Sequence, residues 1–231
     1  MGFIGCDSFN LVDWTPILPT IPKKIARYAH WTPRYALDRM RLLVYETLHP
    51  DSPWLAPDAV RFLENWLQPN HAGFEWGAGR STIWLSKRVA RLTSIEHDEV
   101  WFQRVRQLHY ALPHNNVDLR LIPATDMSED NYVDAISMYA EGELDFVLVD
   151  GLSALRDRCT LTAIPKIRSG GVLVIDDIHR YLPSPSRAPL ALPPNAKPLT
   201  EEWDFAMNQL SRWGKRTFTS GVTDTAIWLR D

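Results

Sequence analysis

The sequence predicts an α/β protein: a doubly wound, mostly parallel sheet closed by a C-terminal antiparallel hairpin and preceded by a helical appendage. Three observations predict it. From residue 72, five short apolar runs alternate with segments of helical period, the rhythm of parallel strands joined by crossover helices. The first run ends in a glycine turn that opens a helix, FEWGAGRST (74–82), as expected where an open α/β sheet binds ligands. The last two runs, KRTFTS and TAIWLR, are separated only by GVTD and read as a hairpin on one edge.

The elements follow in order. Residues 1–70 read as an N-terminal arm with helices, and 71–231 as the sheet domain. Proline steps in LVDWTPILPTIPKK disfavour helix, so the arm is irregular. In RYALDRMRLLVYETL (34–48), Leu37, Met40, Leu43, Val44 and Leu48 recur at helical spacing. PDAVRFLENWL (57–67) begins with proline and an acid and stops before Pro69, a second helix. Strands are expected at 72–76, 91–97, 117–123, 144–150 and 171–176. Helices fill 81–90, 98–111, 128–140, 153–167 and 200–213. GVLVID (171–176) is apolar throughout, a strand buried on both faces.

Composition excludes several classes. The chain has 231 residues, 45% apolar and 23% charged, the balance of one domain with an appendage and a real core rather than a disordered chain. No apolar run reaches the length of a spanning helix, so stable membrane insertion is not expected. The start lacks the pattern of a secretory leader, and Cys6 and Cys159 are too few for a disulfide or zinc scaffold. A reduced, cytoplasmic protein is the expectation. A formal net charge of −3 argues against bulk electrostatic binding to nucleic acid.

Gly77 and Gly79 allow a sharp turn and close approach of a ligand to the backbone. A dinucleotide fingerprint would place a third glycine where Thr82 stands. Glu75 at the strand end is a poor neighbour for a pyrophosphate and a good one for a cationic ligand group. Glu96, twenty-one residues on, ends the next strand, where an acid can accept hydrogen bonds from ribose hydroxyls.

With these residues in place, the sequence resembles the class I S-adenosylmethionine-dependent methyltransferases over roughly residues 54 to 230. EWGAGRS matches the acid-x-G-x-G-x-[ST] motif, Glu96 the ribose-binding acid, LDFVLVDG the fourth-strand motif and GGVLVIDD the fifth. The resemblance implies a Rossmann-like seven-stranded fold. It also implies that Glu75, Gly77, Gly79 and Ser81 hold the methionine end of S-adenosyl-L-methionine, Glu96 the ribose and Asp126 the adenine.

Asp150 ends the fourth strand; Asp176 and Asp177 end the fifth. Adjacent parallel strands deliver these ends to one edge, where three carboxylates repel one another unless a cation or protons intervene. All-oxygen donors favour magnesium. The resemblance narrows accordingly to metal-dependent O-methyltransferases, with Asp150, Asp176 and Asp177 as the metal set. It departs from the catechol type, since Ser153 stands where that type has a lysine base and Asp177 replaces its asparagine. His179 is the nearest replacement base, so Asp150, Asp177 and His179 are the catalytic candidates. The plain alternatives stay open: Asp150 as a helix cap, Asp176–Asp177 as a capped turn, His179 as a packing residue.

Of the flanks, 181–200 reads as an acceptor-binding loop, and Arg156 and Arg158 as candidate grips for an anionic acceptor. Segment 23–41, with Lys23, Lys24, Arg27, Arg34, Arg39 and Arg41 against Asp38, reads as a solvated face or a docking surface. The expected activity is O-methylation of a hydroxyl on a small molecule, sugar or secondary metabolite, with magnesium assisting. The alternatives are a metal-independent N- or C-methyltransferase and a non-catalytic cofactor-binding module. A small-molecule acceptor is the expected partner, and a homodimer is allowed.

Overall fold

The computed structural model describes residues 32–110, 115–124 and 128–231. The strands are β1 (Ala72–Trp76), β2 (Arg91–Glu96), β3 (Val117–Leu121), β4 (Leu144–Val149), β5 (Ile167–Ile175), β6 (Gly214–Thr219) and β7 (Asp224–Leu229). They form one sheet in the order β3-β2-β1-β4-β5-β7-β6. The pairs among β1 to β5 are parallel, and β7 runs antiparallel to both β5 and β6. The strand order reverses between β1 and β4, which opens a crevice outside their carboxyl ends. This is the Rossmann-like arrangement the sequence predicts.

Helices cover both faces because the central strands are apolar on both. On one face Phe74, Trp76, Val147, Val149, Leu173 and Ile175 pack with Tyr132, Cys159, Trp203 and Ala206. These come from α5 (Glu129–Val133), α6 (Arg156–Ala163) and α7 (Glu201–Gln209). On the other face Phe146, Leu148, Val172 and Val174 pack with Val60, Leu63, Trp84 and Leu85, from α2 (Pro57–Trp66) and α3 (Arg80–Ser86). The switch of face at each step along β4 is the strand period of two. Gly73 makes room for Phe146, whose ring would lie 2.0 Å from an added Cβ.

Two differences from the sequence reading stand out. The α2 helix shares a core with the sheet, so that core runs across the boundary drawn at residue 70. In α1 (Pro33–Leu48) the helix forms with Thr32 as its N-cap, yet Leu37, Met40, Leu43, Val44 and Leu48 are all exposed and only Leu42 is buried. Helical period fixes which residues share a face, not which face meets the core. Here the inward side carries Asp38, which lies against Gly221. Segment 23–31 of the basic run lies outside the described residues.

Candidate functional site

Gly77 turns the chain out of β1 with φ at 96°, a left-handed conformation that favours glycine. A Cβ there would also sit 2.7 Å from the Asp150 carbonyl, so the turn is pressed against the end of β4. Gly79 is different. Its backbone is extended, and an added Cβ would meet nothing closer than Trp101 at 3.8 Å. The space beside Gly79 belongs to the crevice.

Glu75 lies under this turn and is fully buried. Its Oε2 accepts from Ser81 Oγ (2.8 Å), and its Oε1 accepts from Ser94 Oγ (2.7 Å) and from the Thr82 hydroxyl. Thr82 Oγ1 in turn accepts the Gly79 N–H at 2.9 Å. Burial pushes the Glu75 carboxyl up to about 7, even against these three hydroxyl donors. The expectation of a direct contact with the methionine ammonium is corrected on this point. Glu75 is absent from the crevice wall, because Thr82 and Ser94 hold it beneath the turn; Gly77, Gly79 and Ser81 do line the wall.

Glu96 closes β2 and faces the same crevice. Its Oε1 accepts the backbone N–H groups of His97 (2.8 Å) and Asp98 (2.9 Å), with His97 Nδ1 at 3.0 Å. The hydrogen bond with Glu96 raises His97 above its ordinary value. All of these donors converge on Oε1, which leaves Oε2 for a ligand hydroxyl. Asp98 accepts the Trp101 N–H and so starts α4 (Glu99–Tyr110), from which the Trp101 indole N–H reaches the Ala78 carbonyl at 2.6 Å. The Trp54 ring lies 6.2 Å from that of Trp101. The resulting crevice of about 570 Å³ runs from Glu96 and Asp98 to Asp150 and Gly151, a size that holds a nucleoside-sized ligand. Arg104 lines it with a buried Nη1 that has no hydrogen-bond partner. The open cradle at Gly79, the Glu96 oxygen and the Arg104 donor fit S-adenosylmethionine. Asp126, the adenine candidate, lies outside the described residues.

The aspartate corner does not fit a magnesium ion. Asp150 Oδ1 accepts from Arg156 at 2.9 Å, Asp176 Oδ1 from the Thr225 hydroxyl at 2.5 Å, and Asp177 Oδ1 from Thr223 at 2.7 Å. Asp177 Oδ2 takes Arg180 at 3.1 Å. No group of three or more His, Cys, Asp or Glu among the described residues is arranged to hold a metal ion. The repulsion expected of three carboxylates is relieved within the chain. Burial raises Asp150 to about 6, opposed by Arg156, and burial raises Asp176 well above the usual range, with Asp150 and Asp177 adding to it. Asp177 alone stays below its ordinary value. Burial works against it, but the Thr223 hydrogen bond and the nearby Arg156 and Arg180 outweigh that.

His179 is corrected as a catalytic base. It is 2% exposed and both ring nitrogens are engaged. Nδ1 accepts the Asp224 backbone N–H at 3.2 Å, which leaves Nε2 to donate to the Pro189 carbonyl at 3.2 Å. Burial lowers its pKa, so the ring is neutral. It ties the 181–200 loop to the β6–β7 turn. Arg156 and Arg158 are likewise spent within the chain, the first on strand ends and the second on Asp130 and Glu129. The sequence reading missed Trp54, Trp101 and Arg104 as wall residues. No motif marks them; only the packing of α4 and residues 49–56 against the glycine turn brings them there.

Comparison with known proteins agrees with this fold. Residues 74–178 match a family model described as a methyltransferase domain. No curated protein matches. Among solved structures, the chain is similar to a protein from Streptococcus mutans in complex with SAH, with 13% identity and TM-score 0.51 over 74% of this chain and 94% of that one. It is similar to a precorrin-6y C5,15-methyltransferase from Geobacter metallireducens, with 14% identity and TM-score 0.50 over 75% and 88%. It is similar also to an rRNA methylase from Streptococcus thermophilus, with 11% identity and TM-score 0.51 over 74% and 92%. At such identities the structural likeness speaks for the fold alone. The seven-stranded sheet, the glycine turn and the family match over residues 74–178 together mark a Rossmann-like methyltransferase domain.

Proposed function

We propose that this enzyme methylates a hydroxyl of a small-molecule acceptor, with Asp150 as the group that takes the proton. The observation that carries the reading is the position of Asp150. Its side chain is 27% exposed in the crevice wall, and burial raises it to about 6, a value suited to a base near neutral pH. When bound, S-adenosylmethionine supplies an electrophilic methyl group. The chain's own residues do the rest. Gly79 leaves room for the donor, Glu96 Oε2 and Arg104 offer an acceptor and a donor for its polar groups, and Trp54 and Trp101 screen the crevice from water. Methyl transfer needs little more than alignment and electrostatics. No step passes through a metal: Asp150 Oδ1 is held by Arg156, Asp176 Oδ1 by Thr225, and the two Asp177 oxygens by Thr223 and Arg180. A net charge of −3 supports a small molecule over nucleic acid, and a reduced, cytoplasmic setting is part of the same proposal. Residues 49–56, which bring Trp54 to the crevice, serve as its roof.

The test is a pH profile with a panel of hydroxyl acceptors. The rate should rise as pH passes through about 6, where Asp150 loses its proton, and level off above. Asp150→Asn should lower kcat by about 10²–10⁴-fold, the usual contribution of a positioned base, and flatten that limb. An Asp150→Asn enzyme with the wild-type profile removes Asp150 from the chemistry.

A further inference from the structure

The acidic corner at the ends of β4 and β5 contains its own cation. Arg156 opens α6 and is 7% exposed. Its guanidinium reaches back across both strand ends. Nε donates to the Gly151 carbonyl at 3.1 Å, and Nη2 donates to the Asp150 carbonyl at 3.0 Å and to Asp150 Oδ1 at 2.9 Å. Nη1 donates to the Asp176 carbonyl at 2.7 Å. One planar fork thus joins the residue after β4 to the residue after β5, and the Tyr181 ring lies under it at 5.9 Å. A divalent ion would need about six oxygens facing one point. Here four oxygen contacts face the guanidinium instead, and the remaining carboxylate oxygens with partners accept from Thr225, Thr223 and Arg180.

We propose that Arg156 is the resident cation of this corner: its guanidinium stands in the place of a divalent ion at the ends of β4 and β5, fixes the Asp150 carboxylate in the crevice wall, and makes methyl transfer independent of metal. Arg156 is a positioning residue, since it acts on the reaction through Asp150. A guanidinium suits the task better than an ammonium because its rigid fork spans carbonyls on two strands at once. In its statement about catalysis the proposal rests on reading the crevice as the methyl-transfer site; its test does not.

The experiment uses the full chain and two probes, MnCl₂ followed by water-proton relaxation and S-adenosylhomocysteine followed by calorimetry. Wild type, Arg156→Ala, Asp150→Asn and the double variant are compared, with folding checked by circular dichroism. Wild type should hold no Mn²⁺ in the corner. Arg156→Ala should gain a stoichiometric Mn²⁺ site, because three carboxylates lose their cation, and Asp150→Asn in the same chain should remove it. A merely structural arginine would not create a metal site that depends on Asp150. If Arg156→Ala does not fold, Arg156→Gln, which keeps a donor but no charge, carries the same comparison. Two results overturn the proposal: a wild-type Mn²⁺ site that vanishes with Asp150→Asn, or a folded, uncharged variant at 156 that gains none. Failure of S-adenosylhomocysteine to bind wild type would instead sink the reading of the crevice and leave the metal comparison standing.

Discussion

The two glycines of the turn look alike in the motif and do different work. Gly77 carries a positive φ and faces the Asp150 carbonyl at a distance no Cβ tolerates. Gly77→Ala should therefore cost roughly 1–3 kcal/mol from backbone strain alone, seen as a lower urea midpoint. Gly79 has extended backbone and open space, so Gly79→Val should leave stability nearly unchanged while abolishing S-adenosylhomocysteine binding in calorimetry. Unaltered binding would move the ligand away from the turn. Glu96→Ala should weaken the same ligand by about 1–3 kcal/mol, the scale of hydrogen bonds to a charged group, and an unchanged dissociation constant would separate Glu96 from the ribose.

At the scale of elements, α1 and α2 show what hydrophobic period can and cannot say. Both were legible as helices, α1 from apolar residues at helical spacing and α2 from proline and an acid in its first turn. Their burial was not. Val60 and Leu63 of α2 lie in the core, while Met40 and Leu48 of α1 are 59% and 70% exposed. Leu63→Ala should accordingly cost about 2–5 kcal/mol, whereas Met40→Lys should change stability by less than about 0.5 kcal/mol, both measured by chemical denaturation. A large loss at Met40 would mean that α1 buries its stripe in solution. The same limit governed the site. Strand ends were legible because apolar runs stop at acids and glycines, so Glu96 and Asp150 were placed in the crevice from sequence. The partner of each side chain was not legible. Asp150 meets Arg156 six residues later, but Asp176 and Asp177 meet Thr225 and Thr223, brought close only by the antiparallel return of β7. Glu75 was read as a ligand contact because the motif shows an acid, not the three hydroxyls beneath the turn that claim it.

Across the whole molecule, these buried acids set how stability depends on pH. Glu75, Asp150 and Asp176 all have folded-state pKa values above their ordinary ones, with burial the first cause in each. A group of this kind binds its proton more tightly when folded, so its contribution is present at low pH and is lost as pH rises through the folded value. His71, His109 and His179 oppose this trend, since burial lowers each of them. Their contribution is full above the ordinary histidine value of 6.5 and fades as pH falls below it. Between 6.5 and 8 the histidines no longer offset the acids, and His97, raised by Glu96, adds to the loss. The ligand-free protein should therefore lose unfolding free energy from pH 6.5 to pH 8, when urea denaturation is followed across that range. Glu75 gives the cleanest separation, because it is fully buried and lies outside the crevice wall. A shift from 4.5 to about 7 corresponds to a contribution of order 3 kcal/mol. Glu75→Gln keeps the shape and removes the charge, so its stability should change less with pH than that of wild type, with the difference growing from about pH 4.5 to about pH 7 and levelling off above. Parallel pH curves for the two proteins would show that Glu75 titrates as an ordinary carboxylate, and the account of its carboxyl as raised by burial beneath the turn would then fail.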